Sequence, residues 1–314
     1  MVLHDPRAER AETALVNAYD NLARFFGGEE EIVAAYLYGQ PAVERTWPDS
    51  DIEIGLVFRE DVDTDAVTEY LEGLGTGNPL GEAPGVLMPF ALNSHILPVV
   101  YEVLTWGRVL ADNDPEAREG FSRQMAARLD QERPRLLEEA QETIVKARGF
   151  GASADEPVRA GGQASRALDP IRIGWRLARV LTSVPILEMF TREVEAVARD
   201  AERVAQLVGV FSNASGAATG IAKAMLMTYG IPRPSRRWEV FLPLADGGII
   251  PTELSLHLAA MLETRWTLLT GSGLASPERV ITLIRSYLPP IIAFARRASW
   301  ATELPGLVAT QRLH

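Results

Sequence analysis

The sequence predicts two folded parts, a small α+β unit followed by a helical bundle, and three observations carry that prediction. Short apolar runs of strand length alternate with helical patterns in the first half of the chain. The segment Gly149 to Gln163, GFGASADEPVRAGGQ, is rich in Gly, Ala and Pro and has no apolar period, the signature of a linker. Beyond about residue 165, long stretches with helical spacing dominate and few alternating β-branched runs occur. A length of 314 residues makes two domains the natural expectation. The expected boundaries are 1–148 for the α+β domain, 149–165 for the linker and 166–314 for the bundle.

Each element has a local reason. Arg10 to Phe26 places Leu15, Ala18, Leu22 and Phe25 at helical spacing and ends at Gly27-Gly28. Ile32 to Tyr38 and Ile52 to Phe58 are apolar runs of strand length, and a helix from about Asp63 to Leu74 follows. A Gly/Pro-rich turn through Pro84 leads to a strand over Gly85 to Leu92, a helix from Ile96 to Trp106, and a long helix from Asp114 to about Lys146 that Pro134 should kink or divide. These helices are expected on one face of the sheet. In the second half the spacing predicts helices over Arg172–Leu187, Thr191 to about Ser212, Ser215–Tyr229, Pro251–Leu269 and Pro277–Trp300.

Composition narrows the chemistry. The absence of cysteine excludes disulfides, thiolate zinc sites and a cysteine nucleophile. The four histidines (His4, His95, His257 and His314) show no metal-pair spacing, and His95 and His257 read as structural residues. No run of 18 or more apolar residues occurs and the first twenty residues carry many charges, so a cytoplasmic protein without membrane association is expected. The formal net charge of −11 is unevenly spread. Residues 1–148 hold 28 acidic and 13 basic side chains, a net of −15, whereas residues 149–314 hold 14 acidic and 18 basic, a net of +4. A mildly basic second half is compatible with RNA binding without demanding it.

The most informative stretch is Leu37 to Phe58, LYGQPAVERTWPDSDIEIGLVF. It reads as a strand, a Gly-containing turn, a polar helical stub and a second strand with Asp51 and Glu53 two residues apart. In a strand, positions i and i+2 project to the same side, so both carboxylates should emerge together near the Gly39 turn. Two such anions repel unless a cation lies between them, and hard oxygen donors suit Mg²⁺ held jointly with nucleotide phosphates.

This segment resembles the signature of the minimal nucleotidyltransferase (MNT) family of the polymerase-beta-like superfamily, a Gly-Ser turn followed about ten residues later by an Asp-x-Asp pair. Gly39 and Ala42 keep the Gly and the small residue, and Ser50, Asp51, Ile52, Glu53 and Ile54 match its SDIDL as SDIEI. Gln40 replaces the family serine that helps hold phosphates, Glu44 replaces a flexible Gly, and Glu53 replaces the second Asp. The resemblance implies Asp51 and Glu53 as catalytic, Mg-holding residues if the chain is active, and Gly39, Gln40 and Ser50 as contacts to ATP or another nucleotide. The family's third metal-side carboxylate belongs on the strand Gly85 to Leu92, where alignment puts it at or near Met88; no Asp or Glu occurs between Gly85 and Tyr101. Methionine neither binds the catalytic metal nor helps activate an attacking hydroxyl.

The second half, over about Arg172 to Ser299, resembles the HEPN family in the branch that partners minimal nucleotidyltransferases. The resemblance rests on GIPRPSRRWEVFLPLADGGIIPTEL (Gly230 to Leu254) and ETRWTLLTGSGLASPERV (Glu263 to Val280). Arg265 keeps the family Arg, while Trp266 stands at its Asn, Thr270 at its catalytic His and Ser272 at the Tyr that paired enzymes modify with AMP. In active members the His handles protons near neutral pH and the Arg stabilises phosphate charge.

Together the two resemblances imply an α+β nucleotidyltransferase fold, a small mixed sheet with helices, followed by an all-α HEPN helical bundle. The functional expectation is a single-chain HEPN–MNT toxin–antitoxin-like protein, catalytically degenerate, that works as a nucleotide-, RNA- or protein-binding regulator and forms a homodimer through its bundle. The alternative is an active Mg-dependent nucleotidyltransferase transferring AMP to protein, RNA or a small molecule, with Asp49 or Glu102 taking over the third carboxylate role.

Overall fold

Strand β2, Ile52–Phe58, has six of its seven residues buried, and only Glu53 is partly exposed. A strand that is apolar at both parities needs cover on both faces, and the computed structural model supplies it. The structure describes residues 18–38, 52–76, 87–151, 168–231, 234, 237–270 and 276–302. The chain forms two compact units, Met1–Pro134 and Arg135–His314.

The first unit contains a helix over residues 18–27 (α1), β1 (Ile32–Tyr38), β2, α2 (Thr64–Thr76), β3 (Leu87–Ala91), α3 (Leu97–Trp106), β4 (Arg108–Asp112) and the start of the long helix α4 (Pro115–Arg148). The four strands form one sheet in the order β3-β2-β1-β4. β1 is antiparallel to β2 and to β4, whereas β2 and β3 run parallel, so the sheet is mixed. Ile52, Ile54, Leu56 and Phe58 pack with Ala35 and Leu37 of β1, with Ala18, Leu22 and Phe26 of α1 and with Leu74 of α2. On the opposite face, a Cβ added at Gly55 would lie 3.2 Å from Leu92 and from Val103 of α3. Helices therefore cover both faces rather than the single face expected, because alternate β2 side chains are apolar toward each side.

Strand β4 was not expected, because its short RVLAD sequence has no clear alternation and directly follows α3 with only Gly107 between them. Two asparagines tie loops to the sheet. Asn93 accepts from the Phe58 N–H and donates to its carbonyl, so a side chain continues the ladder where the backbone leaves it. Asn113 Nδ2 donates to the carbonyls of Phe26, Glu29 and Ile32. Asp114 starts α4, accepting from Ala117 N at 3.0 Å and meeting Arg59 Nη1 at 3.1 Å. Pro115 follows it at the first helical position, where a missing N–H costs nothing.

The second unit is helical: the end of α4, α5 (Pro170–Arg192), α6 (Val194–Ala198), α7 (Ala201–Tyr229), a 3₁₀ turn (Arg237–Phe241), α8 (Leu242–Asp246), α9 (Thr252–Thr270) and α10 (Pro277–Trp300). The expected ends of α9 and α10 agree within a residue. The expected break between Ser212 and Ser215 does not occur; α7 runs on, with the buried Ser215 hydroxyl donating back to Phe211 O at 2.7 Å. The helix starts only after Asp200, whose carboxylate accepts from Glu202 N and Arg203 N, and it ends at Gly230 with φ 65°.

The unit boundary lies inside α4, whose last turns belong to the bundle. Gly174 of α5 faces Ala140, and Arg148 donates to the carbonyls of Ser299 and Thr302 while lying 4.6 Å over the Trp300 ring. Trp300 is 48% exposed, and the Arg148 cation covers one face of its ring. The segments 152–167 and 303–314, which include most of the expected linker, lie outside the described residues. No helix among the described residues is long and apolar enough to cross a membrane.

Two outcomes test these contacts. A Cβ at Gly174 would sit 2.6 Å from Ala140 Cβ and 2.7 Å from its Cα, so overpacking, roughly 1–3 kcal/mol, should exceed alanine's helical advantage of about 1 kcal/mol. Gly174→Ala is expected to lower the urea-unfolding free energy by roughly 1–2 kcal/mol. The Ala117 N–H and then Arg59 hold the Asp114 carboxyl below the ordinary aspartate range. A lowered folded-state value means stability that is present at neutral pH and lost as pH falls through it. Asp114→Ala should therefore lower Tm near pH 7, and its deficit should close below about pH 4 in thermal melts.

Candidate functional site

The mouth of the sheet, where β1 ends and β2 begins, holds a row of polar side chains. Antiparallel pairing sets Tyr38 opposite Glu53, and parallel pairing sets Glu53 opposite Met88. Cross-strand partners project to the same face about 4.8 Å apart, so Tyr38, Glu53 and Met88 form one row. This is the face covered by α3. The half-exposed Glu53 carboxylate is thus flanked by a phenol on one side and by a 48% exposed thioether on the other.

Helix α3 contributes the fourth group. Its inward face is formed by Leu97, Val99, Val100, Val103 and Glu102, and Glu102 has no exposed surface. The Tyr38 hydroxyl donates to Glu102 Oε2. A carboxylate at 0% exposure amid valines would be costly without hydrogen bonds, and Tyr38 supplies one from the row itself. Phe90 packs edge-on against Tyr38 at 6.1 Å and against His95 at 5.1 Å. His95 Nδ1 accepts from Ile96 N at 2.8 Å, a local turn contact in keeping with its structural reading.

Of the residues singled out in the sequence, Glu53 is placed in this row, and the register sets Met88 beside it at the position expected for a third carboxylate. Gly39, Gln40, Ser50 and Asp51 lie outside the described residues. Among the described residues no group of three or more His, Asp or Glu side chains is arranged to hold a metal ion. Among the described residues the donor set here is one partly exposed carboxylate, one thioether and one buried carboxylate engaged by a phenol. Tyr38 was missed in the sequence, although hairpin register alone pairs it with Glu53.

A cleft of about 710 Å³ lies at the other end of the same strands, lined by Gly27, Gly28, Glu29, Glu31, Arg59 and Asp61 among others. Tyr70 packs nearby on Phe58. Burial pushes its phenol pKa up, and Glu29 and Glu31 add to that. The cleft is remote from Glu53 along the strands and holds no part of the row.

In the second unit, Arg265 lies on α9 with its Nη2 facing α7, where a Cβ added at Gly216 would be 3.9 Å away. Thr270 is the last residue of α9, and Ser272 lies outside the described residues. On α5, which packs against α7, stands a group the sequence reading passed over. Arg176 of α5, only 7% exposed, lies over the Trp175 ring at 4.5 Å and donates from Nη1 to Arg172 O at 2.9 Å. Arg179 approaches the same ring at 5.5 Å and donates to Asn213. The spacing of Arg172, Trp175, Arg176 and Arg179 along one helix face was the available signal.

No family model, curated protein or solved structure matches the chain.

The Tyr38–Glu102 contact can be tested directly. Tyr38→Phe removes one donor from a buried carboxylate and should cost about 1–3 kcal/mol of stability in urea denaturation. A cost within a few tenths of a kcal/mol of zero would show that the hydroxyl does not support Glu102.

Proposed function

We propose that this chain is a fused HEPN–MNT-type protein in which reactive groups of both halves have been replaced, and that it acts as a nucleotide-, RNA- or protein-binding regulator. The observation that carries the reading is Met88 in parallel register beside Glu53. In nucleotidyl transfer the carboxylate across from the Asp-x-Asp strand binds the catalytic metal and helps activate the acceptor hydroxyl. A thioether is a soft, neutral donor that replaces neither function. Thr270 at the position of the HEPN histidine supports the same reading, since its hydroxyl does not exchange protons usefully near pH 7. A bundle without that histidine has no nuclease to restrain, so loss in the nucleotidyltransferase half accompanies loss in the bundle. The homodimer proposed through the bundle follows from the same resemblance, and sedimentation of the full chain tests it.

Glu102 favours a second reading, a working Mg-dependent nucleotidyltransferase. It presents a carboxylate next to the row, through a tyrosine that pairs with Glu53. To serve as a metal ligand it would have to exchange its Tyr38 bond and its buried setting for coordination. That reorganisation separates the two readings experimentally.

The full chain incubated with each labelled nucleoside triphosphate and Mg²⁺ is expected to yield no metal-dependent product. Product that Asp51→Ala abolishes would overturn the proposal, and its further loss in Glu102→Gln would establish the second reading. Conversely, Met88→Asp should restore an oxygen donor beside Glu53 and create a Mg²⁺-dependent rise in Tm that the wild type lacks. Adding Glu53→Gln should remove that rise.

A further inference from the structure

Two helices of the second unit, α4 and α10, finish side by side, and each supplies an arginine to the other's end. Arg148, the last residue of α4, donates from Nη2 to Thr302 O at 3.1 Å and to Ser299 O at 3.4 Å. Arg296 of α10 donates in the opposite sense, from Nη1 to Gly151 O at 2.8 Å. Gly151 has φ 69°, and a Cβ added there would lie 2.4 Å from Ile292 Cγ2, so the backbone that leaves α4 lies directly against α10. The C-terminus of a helix carries orphan carbonyls and about half a negative charge. Two such ends placed together repel, and a guanidinium from each turns the contact into attraction.

The end of α10 is closed to water. Ser299 and Thr302 have no exposed surface. The Ser299 hydroxyl donates to Arg296 O at 2.6 Å and the Thr302 hydroxyl to Ala298 O at 3.0 Å, while Arg148 takes the carbonyls of Ser299 and Thr302 themselves. Solvent therefore replaces Arg148 on those two carbonyls only if the last turn of α10 opens, and a buried carbonyl left without its donor is costly. Burial lowers the Arg148 pKa, yet a guanidinium keeps its charge at any physiological pH, and the Trp300 ring 4.6 Å away covers it.

We propose that these reciprocal caps form a latch in which the last turn of α4 and the last turn of α10 open and close as one unit. Neither end keeps its donor when the other leaves, so the two share a single opening equilibrium. Gly151 and Thr302 are the outer residues of the latch, and they border residues 152–167 and 303–314. A ligand or partner that draws on the chain beyond either one biases both helix ends through that equilibrium. The latch is independent of the chemistry at Glu53.

Native-state hydrogen exchange of the full chain tests it, read by mass spectrometry on peptides covering 142–151 of α4, 294–302 of α10 and, as a reference, 207–226 of α7. The two end segments are expected to share one opening equilibrium. Arg148→Gln takes the cap from α10 and leaves α4 its own, and Arg296→Gln does the reverse; each should speed exchange roughly tenfold or more in both segments and leave α7 unchanged. Gly151→Ala touches neither arginine but drives a Cβ onto Ile292, and it should speed exchange in the α10 segment as well as in α4. Should Arg148→Gln unfold the bundle, shown by α7 exchanging with the rest, Arg296→Gln and Gly151→Ala decide the question, because the bond from Arg296 is exposed. Substitutions that speed only the helix whose carbonyl lost its donor would show two separate caps and overturn the latch. So would a Gly151→Ala variant in which α10 exchanges as in the wild type.

Discussion

The constraint on which the first unit depends is that β2 lies inside the sheet and beneath helices on both sides. Its apolar residues at both parities anchor α1 and α2 on one face and α3 on the other, with Gly55 reduced to a hydrogen so that α3 can approach. Burying each Ile, Leu or Phe of that strand contributes on the order of 1.5–3 kcal/mol, so the register with β1 and β3 is strongly specified; a one-residue slip would carry its lone carboxylate to the opposite face. The polar chemistry of the strands is thereby pushed to their ends. Glu53 has a place because it is the one partly exposed residue of the strand, and Tyr38 and Met88 are its neighbours because the ladders set them there.

Much of this was legible in the sequence for the same reason. The runs Ile32–Tyr38 and Ile52–Phe58 are apolar enough to have only one reading, and they appear as strands with the expected bounds. Met88 was singled out by alignment with the resembled family and by the absence of an acid along its strand, and the parallel register sets it beside Glu53. What stayed hidden depended on contacts between distant segments. The hydrogen bond from Tyr38 to Glu102 joins residues 64 positions apart. Strand β4 carries no periodic signal and exists because β1 offers it an edge. Ser212 to Ser215 looked like a turn, since these residues compete for backbone hydrogen bonds, but tertiary packing turned that competition into a back-bond inside a continuous helix.

The bundle shows how small residues control where charge is held. Gly174 allows the last turns of α4 to reach α5, and Gly220 allows Arg176 to lie flat across α7. In each case the missing Cβ is the reason two helices or a helix and a guanidinium can be so close. The arginines of α5 are ordered by an indole, a backbone carbonyl and an asparagine rather than left to wave in solvent. Ordering of that kind removes much of the rotamer entropy that a long cationic chain would otherwise lose when it engages an anion.

Strand β3 stands at one end of the strand order, with a single described neighbour, and its sequence Leu87-Met88-Pro89-Phe90-Ala91 bears no charge. An uncharged apolar border of this type is a template for pairing between molecules, the first step toward aggregation. Pro89 lacks the amide hydrogen such pairing would use, and proline is tolerated at a sheet border for that reason. An acidic side chain at Met88 would have discouraged self-association here; without one, the protection of this border falls to the imino acid beside it.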